Sequence, residues 1–391
     1  MKSLQNKIKS LAENYFEETV EIRRHLHAYP ELSFKEYETS KYIQKKLSDY
    51  GIPFQSGIVD TGIVGLIKGR NPESKCIALR ADIDALPIQE LNDLDYASKN
   101  EGVMHACGHD VHTASLLSVG RILNELKAEW EGTIKLIFQP GEEKLPGGAS
   151  LMIAKGILEN PKVDKIIGQH VSPELESGVI GIRSGMFMAS ADEIYIDVLG
   201  KGGHAALPKG RVNPLLIASK IIIALYDRFD RVKDTPSVFS LGVIEGGSAG
   251  NIIPDTVSLQ GTFRAMNEEW RKEAHQIMRD ICYSTAQAMS GECDIDIKVG
   301  YPFLKNDESF TKQCFENAQK FIGEKHVIEI PKRMTAEDFS YYSHHVPACF
   351  YRLGVGINNQ ERKHLHNAYF DIDELALKNS IGMMSWLAVN S

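Results

Sequence analysis

The chain has 391 residues, of which 43% are hydrophobic and 25% charged, a composition typical of a folded globular protein with room for two domains. Its 44 basic and 52 acidic residues give a net charge of −8, which argues against a nucleic-acid partner. The first residues lack the apolar core of a signal peptide, and the most apolar run, 214–225, is short and contains Lys220, which argues against a membrane span. Six scattered cysteines without a CxxC pair favour a reducing compartment, so we expect a cytoplasmic protein.

Hydrophobic spacing predicts the elements of the first half of the chain. Residues 4–27 have helical spacing, and a second helix is predicted at 36–50, ending at Gly51. From there strands and helices alternate, which predicts a mostly parallel sheet with helices on both faces. The predicted strands are 63–67, 76–83, 133–138 and 165–171, and the predicted helices are 113–126 and 149–158.

The second half contains a segment with a different order, β-α-β-β-α-β, which is typical of a ferredoxin-like fold. Its predicted strands are 193–199, 238–244, 256–263 and 294–299, and its predicted helices are 214–229 and 268–289. Alternation then resumes with a helix at 308–321, strands at 327–330 and 348–353, and a helix at 373–387. We therefore expect an α/β protein with a mostly parallel sheet, built from 1–185 and 301–391, and an inserted ferredoxin-like α+β domain at 186–300.

One short segment carries most of the chemistry. Residues 105–112 read His-Ala-Cys-Gly-His-Asp-Val-His, and all of these polar groups can bind a borderline-soft divalent metal. Glu142 and Glu143 follow one predicted strand, His170 ends another, and His366 lies near the C-terminus. Ligands from several strand ends are typical of a catalytic metal centre, which in a parallel sheet lies beyond the carboxyl ends of the strands. The sequence therefore predicts metal-assisted hydrolysis.

Motifs along nearly the whole chain resemble those of the M20 metallopeptidase family, in its amidohydrolase branch. That branch includes hippurate hydrolases, aminoacylase-like enzymes, auxin-conjugate hydrolases and N-acetyl-diaminopimelate deacetylases. The matching segments, in family order, are 24–33 (RHLHxxPELS), 80–87 (RADIDALP), 105–110 (HACGHD), 139–143 (QPGEE), 202–206 (GGHAA), 251–254 (NIIP) and 365–367 (LHN). The resemblance implies a pair of divalent metals, a ferredoxin-like lid that also forms a homodimer, and hydrolysis of the amide bond of an N-acyl amino acid.

The resemblance also implies a role for particular residues. It makes Glu142 the general base acting on a metal-activated water, and Asp84 a residue that orients a ligand. The implied metal ligands are Cys107, His109, Glu143, His170 and His366, with the Cys107 thiolate bridging the two ions. A thiolate favours zinc, whereas the carboxylates also allow manganese or cobalt. Asp82 stands where the family's general pattern has a histidine, so we assign it no ligand role; a structural pairing with Arg80 is equally compatible with the sequence.

Three further residues are candidates for binding the substrate. The resemblance implies that His204 reaches across a dimer interface to the tetrahedral oxyanion and that Asn251 also contacts the substrate. Arg264 is a candidate partner for the substrate carboxylate through a bidentate pair, although a surface ion pair explains it nearly as well.

Several alternatives remain open from the residues alone. The roles of Asp82, His105, His112 and His364 are undetermined, and neither the acyl group nor the amino acid can be deduced. A dipeptidase or carboxypeptidase would use the same metals, and a non-catalytic metal-binding protein could have the same fold. That last alternative predicts a lost base or ligand, but this sequence retains Glu142 and every expected ligand type.

Overall fold

A computed structural model describes residues 2–207, 209–232, 235–357 and 361–391. The chain divides into two compact units. The first contains the chain up to Gly185 together with Lys305–Pro331 and Asp338–Ser391, and the second contains Met186–Leu304 and Lys332–Glu337. The short segment Lys332–Glu337 thus groups with the second unit, whereas the sequence prediction assigned it to the larger domain.

The helices and strands follow in chain order. The helices are α1 (Lys2–Asn14), α2 (Phe16–Ala28), α3 (Tyr37–Asp49), α4 (His109–Glu125), α5 (Gly148–Ala154), α6 (Pro214–Phe229), α7 (Glu268–Ala288), α8 (Glu308–Ile322), α9 (Ser340–Ser343) and α10 (Ala376–Val389), with a 3₁₀ helix at Glu324–His326. The strands are β1 (Phe54–Ile58), β2 (Gly62–Lys68), β3 (Cys76–Asp82), β4 (Thr133–Gln139), β5 (Lys165–Glu176), β6 (Ile180–Ile182), β7 (Gly185–Met188), β8 (Asp192–Leu199), β9 (Gly203–His204), β10 (Ser237–Glu245), β11 (Ile252–Ile253), β12 (Thr256–Ala265), β13 (Glu292–Val299), β14 (Leu304–Asn306), β15 (Val327–Glu329) and β16 (Ala348–Gly356).

The first unit is built on an eight-stranded sheet with the order β1-β2-β4-β3-β5-β16-β6-β15. Its four central strands, β4, β3, β5 and β16, run parallel, whereas β1, β2 and β6 each form an antiparallel pair. Every residue of β3 and β4 is buried, as expected for strands covered on both faces. The predicted α/β class with a mostly parallel central sheet is confirmed.

The second unit contains a four-stranded antiparallel sheet with the order β10-β12-β8-β13. Buried and exposed residues alternate along β8, so one face of the sheet packs in a core with residues of α6 and α7. Buried Asp192 at the start of β8 pairs with Arg271, whose Nε lies 2.9 Å from Asp192 Oδ2, and with His275, whose Nε2 lies 2.7 Å from the same oxygen. These hydrogen bonds fix the start of β8 against α7.

Two predicted helices differ from the structure. The single helix predicted at 4–27 is wrong because Tyr15, with φ −99° and ψ 2°, interrupts it. Helix α1 packs mainly against α10, and α2 packs mainly against α4. The helix predicted to begin at Thr113 begins at His109, so the end of the 105–112 motif lies within the first turn of α4. In the part of the chain that the structure describes, no helix combines the length and apolarity needed to cross a bilayer.

Candidate metal centre

The 105–112 motif lies where α4 begins beside β5. Gly108 has a φ of 80°, and a Cβ atom added to it would lie 2.4 Å from Cγ2 of Val171. A side chain at this position would therefore be strained and would clash with β5. This glycine allows Cys107 and His109, on either side of it, to approach His170 in the middle of β5.

Cys107 lies at the centre of the candidate ligands. Its Sγ is 3.4 Å from Nε2 of His170 and 3.3 Å from Nε2 of His366. The same His366 nitrogen is 3.3 Å from Oε1 of Glu143, which in turn is 3.9 Å from Nε2 of His109. The structure thus brings together all five residues predicted as ligands, although they span 260 positions of the sequence.

His109 is held in one orientation by Asp84. Its Nδ1 lies 2.9 Å from the backbone oxygen of Asp84 and 3.3 Å from its Oδ1, so Nδ1 carries the proton and donates it. The other nitrogen, Nε2, is buried and has no hydrogen-bond partner among the described residues, and the same is true of Glu143 Oε1. Two unpaired buried atoms of this kind need a ligand to offset their loss of water.

Asp84 connects several parts of the centre. Its Oδ2 accepts hydrogen bonds from Ser33 Oγ at 2.7 Å and from the Glu143 backbone N–H at 3.0 Å. Burial raises the pKa of Asp84, but the hydrogen bonds from His109, Glu143 and Ser33 outweigh it and hold the pKa below its usual range. Both carboxylate oxygens of Asp84 accept hydrogen bonds and neither donates one, which fits an ionised side chain.

The donor atoms form two groups that share one sulfur. In each group the ligand atoms lie within 4.8 Å of one another; the groups are Cys107, His109 and His170, and Cys107, Glu143 and His366. Burial raises the pKa of the Cys107 thiol well above its usual value, and Glu143 and Glu142 raise it further. A thiol buried among carboxylates ionises only beside a cation, and a thiolate with imidazoles and a carboxylate suits a borderline-soft divalent metal.

Glu142 faces a different set of contacts from its neighbour Glu143. It is 6% exposed, and its Oε1 lies 3.4 Å from the backbone nitrogen of Asp338. The preceding residue, Gly141, has a φ of 63° and lies so close to the Phe34 ring that an added Cβ would be 2.3 Å away. The two glutamates after β4 thus have different contacts, although a carboxylate oxygen of each lies within 4.8 Å of a His109 ring nitrogen.

The structure also describes the residues whose roles were open. Asp82 is buried and paired with Arg80, with Nη1 of Arg80 2.6 Å from its Oδ2. His105 is buried, and burial lowers its pKa to about 4, so it is neutral. His364 is exposed and belongs to none of the candidate ligand groups found among the described residues. His112 bonds Asp82 and Val171 instead of facing Cys107.

Two residues that support the centre were missed from the sequence. Glu36 accepts hydrogen bonds from the Gly141 N–H at 2.9 Å and from Thr61 Oγ1 at 2.7 Å, and burial followed by repulsion from Asp84 raises its pKa to about 7. Asp338 accepts from Arg80 Nη2 at 2.7 Å. Glu36 has no distinctive sequence context, and Asp338 lies in an acidic pair that resembles a solvated loop.

The predicted substrate-binding residues all belong to the second unit. The short β9–β11 pair brings His204 and Asn251 close together, because the Ala205 N–H donates to the Asn251 carbonyl at 2.9 Å. Both side chains are exposed. Arg264, on β12, is half-buried with Nη1 3.4 Å from the Met334 carbonyl, and burial lowers its pKa.

A central parallel sheet with converging thiol, imidazole and carboxylate donors at its strand ends is the architecture of a metallohydrolase. Residues 78–384 match the model of peptidase family M20/M25/M40, and the chain belongs to this family. The predicted family is therefore confirmed, and the chain is a hydrolase that acts on amide bonds.

Three similar proteins refine this picture. The N-acetyl-L-cysteine deacetylase of Bacillus subtilis is 39% identical over 91% of this chain and 84% of its own length. Thermostable carboxypeptidase 1 of Saccharolobus solfataricus is 38% identical over 92% of this chain and 91% of its own. The crystal structure of the Bacillus subtilis YxeP protein, described as a dinuclear metal binding peptidase from the M20 family, is 34% identical, with a TM-score of 0.83 over 96% of this chain and 98% of its own.

Proposed function

We propose that the protein is a metal-dependent amidohydrolase that cleaves the amide bond of N-acyl amino acids. The observation that carries this proposal is the position of Cys107, whose sulfur is common to two groups of candidate ligands. A shared thiolate suits two ions held side by side, and the YxeP relative is described as dinuclear. The similarity to a deacetylase of N-acetyl-L-cysteine supports the N-acyl amino acid as the substrate class.

The residues present fit two divalent cations. Those that would hold them are Cys107, His109, Glu143, His170 and His366, all with donor atoms directed toward a common centre. Zinc suits the thiolate, and manganese or cobalt suits a site that also offers a carboxylate. When bound, the ions supply Lewis-acid chemistry, polarising the scissile carbonyl and lowering the pKa of the attacking water.

Glu142 is the general base in this proposal. Its carboxylate accepts a proton from the attacking water and returns it to the leaving amine, and the Asp338 N–H holds one of its oxygens in place. Because His109 donates its Nδ1 proton to Asp84, its Nε2 is the nitrogen available to bind an ion. His204 and Asn251 contribute donors to the oxyanion and the substrate, and Arg264 pairs with the substrate carboxylate.

The protein acts on a small molecule, and we further propose that it is a cytoplasmic homodimer formed through the second unit. Exposed apolar side chains on α6 and β10 support such an interface, because Leu216, Ile223 and Ile244 are each more than half exposed. All six cysteines are free thiols, which fits a reducing compartment. Light scattering at several concentrations tests the dimer, and a concentration-independent monomer mass would refute it.

The substrate proposal is tested with the purified protein, stripped of metal and reloaded separately with zinc, manganese and cobalt. Each form is assayed with N-acetyl and N-benzoyl amino acids and with unblocked dipeptides. We expect turnover of the N-acyl amino acids and about two ions per chain by elemental analysis. Because the carboxypeptidase relative supports a peptidase as second candidate, turnover of peptides alone would overturn the first proposal in favour of the second.

A further inference from the structure

Both ring nitrogens of His112 have partners within the protein. The Val171 backbone N–H donates to Nε2 at 3.0 Å, so this nitrogen carries no proton. The proton therefore lies on Nδ1, which is 2.5 Å from Oδ1 of Asp82 and donates to it. With one nitrogen donating and the other accepting, His112 retains no lone pair for an ion, although its ligand atoms lie within 4.8 Å of those of Asp82 and His109.

Asp82 anchors this arrangement from the other side. Its Oδ2 accepts from Nη1 of Arg80 at 2.6 Å, and the three side chains of Arg80, Asp82 and His112 are at most 1% exposed. The carboxylate thus has a guanidinium and an imidazole N–H as partners, which fixes the tautomer of His112. A hydrogen-bond chain runs from Arg80 through Asp82 and His112 to the backbone of β5 at Val171.

The backbone of Val171 also determines the orientation of the His170 ring. Nδ1 of His170 lies 2.8 Å from the Val171 carbonyl and donates to it, which leaves Nε2 directed at Cys107. The His112 ring also packs edge-on to the His170 ring, with centroids 4.7 Å apart and planes at 63°. His112 therefore holds the backbone at Val171 through that residue's N–H and packs against the ring of His170.

We propose that His112 is a positioning residue that holds His170 in the orientation needed to bind an ion together with Cys107, and that His112 is not itself a ligand. This proposal rests on the proposed function, because it is the proposed function that requires a bound ion. It separates the three histidines of 105–112 by their ring-nitrogen partners: His109 faces the centre, His112 supports it from behind, and His105 is buried with no hydrogen-bond partner at either nitrogen among the described residues.

The test compares His112→Leu, which removes the acceptor for Val171, with His112→Gln, whose amide oxygen can replace Nε2 as that acceptor. Ser118→Ala is the matched control, because Ser118 is buried on the same helix and its hydroxyl bonds Thr19 at 2.7 Å. Metal-free proteins are titrated with Co²⁺, and the thiolate-to-cobalt absorption band reports binding at Cys107. We expect His112→Leu to weaken the affinity for one of the two bound Co²⁺ ions by about 10- to 100-fold. His112→Gln should recover most of that affinity, and Ser118→Ala should bind Co²⁺ as the wild type does.

A second measurement needs no substitution. In protein labelled with ¹⁵N-histidine, we expect His112 to show a protonated Nδ1 and an unprotonated Nε2 with and without metal. Unchanged Co²⁺ affinity in His112→Leu, or a metal-induced shift of the His112 Nε2 resonance as large as that of His109, would overturn the inference. If the wild type bound no Co²⁺ at all, the proposed function itself would fail, and the resonances of the metal-free protein would still report the tautomer.

Discussion

The sharpest prediction concerns the two adjacent glutamates, which the structure gives different surroundings. Glu142 contacts the backbone nitrogen of Asp338 and is absent from both ligand groups that share Cys107. Glu143 lies 3.3 Å from His366 and belongs to one of those groups. We therefore expect Glu142→Gln to abolish proton transfer without loss of metal, and Glu143→Gln to lose metal.

The magnitude follows from the role of each group. Glutamine has the shape of glutamate and retains an oxygen for the Asp338 N–H, so the fold around residue 142 is preserved. Loss of a general base lowers kcat by roughly 10²- to 10⁴-fold, which corresponds to about 2.7–5.4 kcal/mol of barrier. The substitution removes no contact that binds substrate and transition state equally, so KM should change far less than kcat.

The assay measures kcat, KM and metal content on the same samples, with unfolding midpoints to verify the fold. Wild-type kcat in Glu142→Gln would refute the assignment of the base. Loss of one metal equivalent in that variant would instead make Glu142 a ligand. Equal loss of metal in both variants would contradict the different roles proposed for the two glutamates.

Further predictions concern the support of the site and of the second unit. Asp84→Asn should weaken metal binding by about 10- to 100-fold in a competition titration, because its amide cannot serve as a charged acceptor for the imidazole. Gly108→Ala should lower the free energy of unfolding by about 1–3 kcal/mol, from the positive φ and the contact with Val171, and should reduce metal content. Asp192→Asn should lower stability by roughly 1–3 kcal/mol in a denaturant titration, since it removes the buried carboxylate partner of Arg271 and leaves the partly exposed Glu268 as its charged partner. Asp296→Asn, in an exposed pair on β13, is its control and should leave the unfolding midpoint unchanged.

The Asp192 prediction has a defined pH dependence. Burial raises the pKa of this carboxyl, but His275 and Arg271 outweigh it and hold the folded-state pKa below the ordinary value. Its contribution is therefore present above the unfolded-state pKa of about 3.9 and is lost as the pH falls through the folded value. The stability difference between wild type and Asp192→Asn should shrink below about pH 4. A difference that stays constant down to pH 3 would contradict the ion-pair explanation.

The periodic elements were the predictable part of the fold. Helix α6 has the predicted bounds, because Pro214 starts it and Asn213 caps it by accepting the Leu215 N–H at 3.0 Å, a signal readable locally. The interruption at Tyr15 was not predictable, since apolar spacing continues through it and only the different packing partners of α1 and α2 distinguish the two helices. The short strand β15 was predicted at 327–330, but β6 and β14 escaped prediction, because three residues carry too little periodicity.

The candidate ligands of the site were predictable, because each motif contains a residue type that can bind a metal. What the motif could not give was the partner of each ring nitrogen. His109 and His112 are three positions apart on α4, yet one bonds Asp84 and the other Val171, 59 residues further along the chain. Asp338 reaches Arg80 across 258 positions. Such pairings depend on strand order, which the local sequence does not contain.

The position of the site follows from this strand order. The parallel strands β3 and β4 end at one edge of the sheet, so the segments that follow them deliver Asp84 and Glu142 to the region of His170, which lies within β5. The start of α4 then adds Cys107 and His109 from a turn that only glycine at 108 permits. Ionised Asp82 and Asp84, from the end of a single strand, support two different histidines from behind. Each carboxylate accepts a hydrogen bond from one imidazole nitrogen and thereby determines which nitrogen of that ring remains for other partners. Substitutions at these two aspartates should therefore change metal affinity more than they change the stability of the fold.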